Sequence, residues 1–317
     1  MKIDTVCLIG GSGFLGQHIA HLLAQRGVRA RIATRHRDRV KQELIILPTV
    51  DVIESDVHEP ATLSRLFAGC NAVVSLAGIL HEHRPGDFAK VHTELPRRIV
   101  DACRANDVRR LLHVSALKAA HDAPSEYLRS KAGGEQQIRL AEAAAIHTTI
   151  FRPSVIFGRG DSFLNLFARL LRWLPAVALA CPNARFQPIW VEDVARAIVE
   201  SLAKSSTYSA SYDLCGPRTY RLQELVEYVG RITGRRRPII GLNNRLSNLQ
   251  AWAMEWLPTK LMTRDNIASM QVDNVCDCAF PAVLGYEPTP LESVAPAYLG
   301  DHVPKARLDQ LRLRARR

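Results

Sequence analysis

The chain has 317 residues, of which 47% are hydrophobic and 23% charged, and a formal net charge of +11. That balance excludes a disordered or fibrous chain and predicts a globular protein: one large domain with a smaller appended region. The positive charge is spread along the chain except at its end, where Lys305, Arg307 and the run from Arg312 to Arg317 form a basic tail. No aromatic residue is interleaved with those charges, so nucleic acid is not expected, and an anionic membrane surface or an acidic protein partner is.

In chain order, the apolar segment 3–9 predicts a strand and 14–26 a helix, joined by Gly10-Gly11-Ser12-Gly13-Phe14-Leu15-Gly16. A strand, a glycine turn and a helix in that order form the turn that holds the pyrophosphate of a dinucleotide. Glycines at 10, 13 and 16 allow a tight turn, let backbone approach phosphate and let the helix lie close to the sheet. The second strand, 29–34, runs into Arg35, with Arg37 and Arg39 beyond it. An NAD-preferring site places a carboxylate here for the ribose hydroxyls. A guanidinium pairs instead with a 2′-phosphate, so NADP(H) is expected over NAD(H), with Arg35 and Arg37 as the contacts and Arg39 merely solvated.

A third strand at 50–54 ends near Asp56 and Val57, where a side chain reaches the adenine end of such a cofactor. A fourth at 71–77 closes on Leu76-Ala77-Gly78, small enough for backbone to pass beside the nicotinamide half. Helices at 60–67, 87–105 and 125–145 alternate with strands at 110–115 and 147–152. This alternation predicts an α/β fold: a doubly wound parallel sheet of Rossmann type with a smaller C-terminal subdomain for substrate. The expected division is a nucleotide-binding domain at 1–153, a substrate or partner region at 154–304 in which residues near 185–200 return to the first domain, and the tail at 305–317.

Tyr127 and Lys131 are four residues apart and share a face of the helix predicted at 125–145. An ammonium beside a phenol is expected to lower a pKa that starts near ~10, making Tyr127 an acid/base near neutrality, while Lys131 also holds the nicotinamide ribose. Beyond residue 153, Arg159, Arg169 and Arg172 are candidates to face an anionic substrate or lipid head group. Leu246, Leu249, Ala253, Trp256 and Leu257 recur at helical spacing. The expectation there is a core-facing stripe, with Trp252 and Trp256 offering an interfacial alternative.

The seven cysteines (Cys7, Cys70, Cys103, Cys181, Cys215, Cys276 and Cys278) show no CxxC spacing and are odd in number, which predicts reduced thiols rather than disulfides. Cys276-x-Cys278 and His81-x-His83 are too isolated for a metal site, so none is expected. The N-terminus enters the first strand without a secretory pattern, and the apolar stretch from Phe163 to Cys181 is interrupted by Arg169 and Arg172. A cytoplasmic protein is expected, peripheral at most on the inner face of the cell membrane.

Taken together, Gly10 to Gly16, Ala77-Gly78, Ser115, Tyr127 with Lys131, Arg152-Pro153-Ser154 and the stretch Trp190 to Ala195 resemble the extended and atypical short-chain dehydrogenase/reductase superfamily. More narrowly, His113 to Leu117, Tyr127 to Lys131, Met254 to Pro258 and Thr263 to Asn266 resemble the group of the nucleotide-binding accessory subunit of respiratory complex I and its bacterial relatives. The resemblance implies tightly held NADPH, a cofactor role for Arg152, Pro153 and Ser154, and Ser115 hydrogen-bonding a substrate carbonyl. For bacterial members it implies a link to quinone metabolism or to a respiratory-complex partner.

Two positions depart from the pattern: Leu117 stands where a Ser or Thr is usual, and His92 where many relatives carry Asn. Cofactor binding is therefore expected, and turnover is the open question. Three functions compete: a quinone-linked or complex-I-associated oxidoreductase or accessory protein, a reductase or epimerase on a nucleotide sugar or other carbonyl compound, and a non-enzymatic NADP(H) sensor. The intact Tyr127/Lys131 pair argues against a pure sensor, and the first function is the one expected.

Overall fold

In the computed structural model, seven strands form one sheet in the order β11-β6-β5-β4-β1-β2-β3. The residues described are 2–37, 44, 46–256 and 261–300. Arg39, Leu257, Pro258 and the basic tail at 305–317 lie outside them. Every pairing in the large sheet is parallel.

The strands are β1 (Thr5–Ile9), β2 (Arg29–Thr34), β3 (Val50–Glu54), β4 (Ala72–Ser75), β5 (Arg110–Val114), β6 (His147–Pro153) and β11 (Ala210–Leu214). A parallel sheet must be covered on both faces, and the central strands accordingly read as unbroken apolar runs: Val6, Cys7, Leu8 and Ile9 are all fully buried. The longer helices of this part are α1 (Phe14–Gln25), α2 (Pro60–Phe67), α3 (Leu95–Ala105), α4 (Glu126–Arg139) and α6 (Val191–Ser201). Leu63, Leu66 and Phe67 of α2, Ile99 and Cys103 of α3 and Ile138 of α4 join Cys7, Ile9, Val73, Leu111 and Ile150 in one core cluster. Helices α1 and α6 are tied to each other by His18 with Glu192 and by Arg26 with Glu200.

Strand order reverses between β1 and β4. The carboxyl ends of those two strands therefore face the crevice in which doubly wound folds bind ligands. All six expected strands of this sheet are present. The seventh, β11, is absent from the sequence reading because Ala210 to Tyr212 and Asp213 are half-buried, with Leu214 fully so, leaving little apolar contrast in an edge strand.

The chain divides into two compact units. One comprises Met1–Pro153, Glu192–Leu214 and Pro281–Tyr286, and the other Ser154–Val191, Cys215–Phe280 and Glu287–Arg317. The second unit holds α5 (Leu164–Trp173), α7 (Leu222–Ile232), α8 (Asn244–Glu255), α9 (Arg264–Ser269) and α10 (Leu291–Leu299). Its short strands pair as β7 (Ile156–Phe157) with β10 (Ile189–Trp190), β8 (Val177–Leu179) with β13 (Ile239–Gly241), and β9 (Arg185–Phe186) with β12 (Tyr220–Arg221). Phe157, Phe167, Leu171, Phe186, Leu225 and Leu291 anchor its separate core.

Two expectations are overturned in this second unit. Cys215 and Cys276 form a disulfide, with Cα atoms 6.1 Å apart, whereas all the cysteines were expected as thiols. They lie 61 residues apart in sequence, so spacing carries no trace of the pair. Gln187 brings their segments together: its side-chain amide donates to Gly216 O at 2.7 Å, and its carbonyl accepts from Cys276 N–H at 3.0 Å. The second correction is α8, whose Leu246, Leu249 and Ala253 do not face the core. Ser247 and Ala251 are its buried positions instead, while Leu246, Leu249 and Trp252 are exposed. The small pair lets the helix lie close to Ala180 and Ile267, and that rotation turns the large residues outward.

At the amino end of β5, Arg110 is fully buried and none of its hydrogen-bond acceptors is a carboxylate. Its guanidinium donates to Leu202 O, His147 O, Thr149 Oγ1, Ser201 O and Thr207 Oγ1, and lies 4.6 Å above the Tyr208 ring. Burial lowers its pKa to about 10, which leaves it charged at neutral pH. One side chain thus satisfies the backbone where α6 ends and ties it to β5 and β6. Arg110→Met should cost about 2–4 kcal/mol of unfolding free energy, because several buried acceptors lose their donor together. Urea denaturation measures it, and a loss below about 1 kcal/mol would contradict this role.

Candidate functional site

The turn after β1 is built on contacts that exclude any side chain. Gly10 has φ +85°, and a Cβ there would lie 2.9 Å from Ala77 N. A Cβ on Gly16 would lie 2.5 Å from both Gly11 Cα and Gly11 O, and one on Gly11 would meet Leu8 Cβ at 2.7 Å. Backbone therefore rests directly on backbone, and Leu76 N–H donates to Ile9 O at 2.8 Å across the same junction. Gly13 is different: it is exposed, and the nearest atom to a Cβ there is Gly10 O at 3.2 Å.

Gly13 is the N-cap of α1. No side chain caps the helix, and its first turn holds no acidic residue. Ser12 uses its carbonyl to accept from Gln17, Phe14 packs edge-on against His18 at 5.5 Å, and Leu15 and Gly16 are buried. The uncapped N–H groups and the positive end of the helix dipole suit a pair of phosphates beside Gly13.

At the carboxyl end of β2, Thr34 is buried and Arg35, His36 and Arg37 are exposed. Asp56, after β3, accepts from His58 N–H at 2.9 Å and stays exposed, whereas Val57 packs on the core. Strand β4 ends at Ser75, two residues earlier than expected, so Leu76, Ala77 and Gly78 form the start of a loop. Leu76 and Ala77 are half-buried and Gly78 is exposed.

His92 holds that loop against α4. It lies in a π-helical turn, Lys90–Glu94, just before α3, and its ring is buried. Nε2 accepts from Ile79 N–H at 3.0 Å, so in the neutral ring the proton sits on Nδ1 and is donated to Ser130 Oγ at 2.8 Å. Ser130 in turn donates to Tyr127 O at 2.8 Å. The ring stacks on Phe88 at 5.4 Å and meets Tyr127 edge-on at 5.5 Å. Burial, followed by the Lys131 charge, lowers its pKa to about 3.

Tyr127 and Lys131 do share a face of α4, whose first turn is capped by Ser125 accepting from Leu128 N–H. Lys131 is buried and donates to Val114 O at 2.8 Å; burial lowers its pKa to about 8, against the smaller opposing effect of Glu135. A Cβ on Gly78 would lie 3.6 Å from His92 Nε2 and 3.9 Å from Lys131 Nζ, so the three residues meet at one point. The expected depression of the Tyr127 pKa is not found. Burial pushes the phenol up to about 12, and the Lys131 ammonium is turned to the Val114 carbonyl.

Ser115, next to Val114, is buried with its hydroxyl lacking a hydrogen-bond partner among the described residues. Such a group is costly unless a ligand satisfies it. Leu117 is buried and donates its N–H to Pro153 O at 3.0 Å.

Arg152 and Ser154, expected near the cofactor, both have protein partners. Arg152 is committed to the buried carboxylate of Glu135, with Nε 2.7 Å from Oε1 and a second bond to Oε2, and lies 3.8 Å from Asp213. A buried carboxylate needs such a counterion, and the pair ties β6 to α4. Ser154 belongs to the second unit, where it donates to Asn274. Residue type alone had marked His92 only as a departure from a pattern, and nothing in its spacing disclosed the bonds to Ile79 and Ser130.

The model of the NAD dependent epimerase/dehydratase family matches residues 6–214. Over 303 residues the chain is 32% identical to subunit 9 of the NADH dehydrogenase [ubiquinone] 1 alpha subcomplex of Mus musculus, a mitochondrial protein, covering 90% of this chain and 77% of that one. It is 35% identical over 196 residues to the ceramide reductase of Caulobacter vibrioides, covering 62% of this chain and 60% of that one. Among solved structures, UDP-glucose 4-epimerase from Thermotoga maritima shares the fold, with a TM-score of 0.73 at 15% identity over 98% of this chain and 99% of that one.

The two buried neutral histidines of this region make stability depend on pH. His113, bonded through Nδ1 to Ser75 Oγ at 3.2 Å, is also held well below the usual histidine range by burial. Between about 3 and the unfolded value near ~6.5, the unfolded chain binds a proton that folded His92 does not. Its contribution is therefore complete above that upper value and is lost as pH falls. Lowering pH from 7 to 5 should cost about 2 kcal/mol through His92 alone, measured by urea denaturation. His92→Gln should shrink that difference; an unchanged pH dependence would contradict a buried neutral ring.

Proposed function

The chain belongs to the NAD dependent epimerase/dehydratase family, and within it we propose an oxidoreductase that binds NADP(H) in preference to NAD(H), linked to quinone or to a respiratory complex and peripheral to a membrane. The observation that carries the redox reading is the meeting of Gly78, His92 and Lys131 beside Tyr127 at the carboxyl edge of the sheet. The arginines after β2 carry the cofactor preference, since the residue that directly follows the strand is Arg35, whose guanidinium suits a 2′-phosphate, rather than a carboxylate. Similarity to mitochondrial complex I subunits supports a respiratory partner, and similarity to a protein named as a reductase supports reductive chemistry.

In this reading the α1 N-terminus and the backbone of Gly10 to Gly16 hold the pyrophosphate. Arg35, with Arg37 beside it, binds the 2′-phosphate. The backbone of Leu76 to Gly78 lies along the nicotinamide half, and the remaining N–H groups of Lys131 bind its ribose hydroxyls. NADPH, when bound, supplies a hydride. The Ser115 hydroxyl donates to the substrate carbonyl oxygen, and the Tyr127 phenol gives that oxygen its proton. A phenol held near 12 is protonated at neutral pH, the state a reduction needs from its acid.

Arg35→Ala should weaken NADPH by about 1.5–3 kcal/mol and NADH little, the loss of one charge-assisted hydrogen bond. Calorimetry on the unmutated protein giving equal affinities for the two cofactors would contradict the preference. In hydride-transfer assays with quinones, sugar nucleotides and ketone-bearing lipids, Tyr127→Phe should lower turnover ~10²-fold or more while leaving NADPH affinity nearly unchanged. Full activity in that variant would remove Tyr127 from the mechanism.

A further inference from the structure

Most of the exposed large hydrophobic side chains among the described residues lie in one part of the second unit. Trp173 at the end of α5 is 78% exposed, and Ile240 in β13 is 57% exposed. On α8 and just past it, Leu246, Leu249 and Trp252 are exposed and Trp256 is 78% exposed. These residues share a neighbourhood. Ile240 is in register with Ala178 of β8, and Gln250 of α8 donates to Ala178 O at 2.9 Å. Cys181 N–H, two residues past β8, bonds Ser247 Oγ. Trp173 immediately precedes the segment leading into β8, and Trp252 and Trp256 meet edge-on at 6.3 Å.

Cationic groups lie beside the Trp173 end of this face, where Arg237 donates to Leu171 O. The Arg172 guanidinium lies 5.6 Å over the Trp173 ring. Arg231, Arg236 and Arg237 line a cavity of about 400 Å³ whose apolar wall is Leu171, Val226 and Ile239. Of the acidic groups nearby, Glu227 in that cavity accepts from the neutral amide of Gln223, and Glu255 of α8 pairs with Arg264.

We propose that this face docks on a bilayer containing anionic phospholipid, with the tryptophans and α8 leucines at the acyl boundary and the Arg231, Arg236 and Arg237 cavity taking a lipid phosphate. The proposal rests on the peripheral location stated above and names the surface and lipid class responsible for it. Three features select this occupant. Tryptophan favours the boundary between head groups and acyl chains, where an apolar ring and a polar N–H are both satisfied. The helix presents large apolar residues outward with only small ones inward, the reverse of a core helix and the arrangement of one lying in an interface. Finally, guanidinium groups beside apolar walls match a phosphate above acyl chains. An acidic protein would meet the arginines but offers no apolar layer for the three tryptophans.

The test is flotation of the full chain with vesicles of phosphatidylcholine alone or with phosphatidylglycerol, at low and high salt. NADPH affinity is measured in parallel, since every substituted residue lies outside the proposed cofactor site. Binding to the anionic vesicles is expected, with quenching of tryptophan emission by brominated acyl chains. Trp173→Ala/Trp252→Ala/Trp256→Ala and Arg236→Ala/Arg237→Ala should each reduce that binding at least tenfold and leave NADPH affinity unchanged. A chain lacking residues 305–317 should retain binding that is still sensitive to both sets of substitutions. The proposal is overturned if the intact chain ignores anionic vesicles, or if binding depends on the tail and is indifferent to these residues. It is also overturned if sedimentation shows a stable dimer that the tryptophan substitutions dissociate, since a second copy then covers the face. Loss of NADPH binding in the unmutated protein would count against the cofactor reading and not against this surface.

Discussion

Contact between two stretches of bare backbone governs the site. Gly10 rests on Ala77 and Gly16 on Gly11, at distances where a methyl group has no room. Because β1 and β4 are neighbours at the point where strand order reverses, this contact sets the distance between the α1 N-terminus and the Leu76 to Gly78 loop. Every residue later assigned to a cofactor is placed relative to one side or the other of it. No side-chain interaction could substitute, since the space it would occupy belongs to backbone.

Polar side chains then fix what the glycine contact leaves adjustable. His92 ties the Ile79 amide to Ser130 of α4, and Lys131 ties the same helix to the end of β5. Glu135 and Arg152 hold it to β6, while at the opposite end of the sheet Arg110 joins β5 and β6 to the end of α6. All of these groups are hydrogen-bonded, as buried polar groups must be to avoid a desolvation cost. Ser115 Oγ and His113 Nε2 break that rule within the sheet's carboxyl-edge region. An unsatisfied hydroxyl one residue from the carbonyl that holds Lys131 is where a substrate oxygen would repay the deficit.

Much of the first unit was legible in the residues because its signals are local. Apolar runs bounded by turns marked β1 to β6, and three glycines between a strand and a helix marked the tight turn from β1 into α1. What escaped depends on contacts between distant segments. Cys215 and Cys276 come from segments 61 residues apart that Gln187 bridges, and Arg152 meets Glu135 only because β6 and α4 pack together. The outward face of α8 followed the wrong stripe because its buried side is carried by Ser247 and Ala251, which periodicity of large apolar residues ignores. The Tyr127 phenol was misjudged for a related reason: four-residue spacing brings an ammonium to the same face, but not the direction in which it donates.

The central claim is that a dinucleotide lies with its pyrophosphate against Gly13 at the start of α1. Titration of NADPH into Gly13→Val, with folding checked by circular dichroism, tests it most directly. Gly13 is exposed, with only the Gly10 carbonyl near a Cβ and an ordinary extended backbone, so a valine should leave the fold intact. Its branched side chain would occupy the space required by the phosphates. A folded variant with no measurable NADPH binding is the predicted result. Unchanged affinity in the folded variant would place the nucleotide elsewhere and contradict the account.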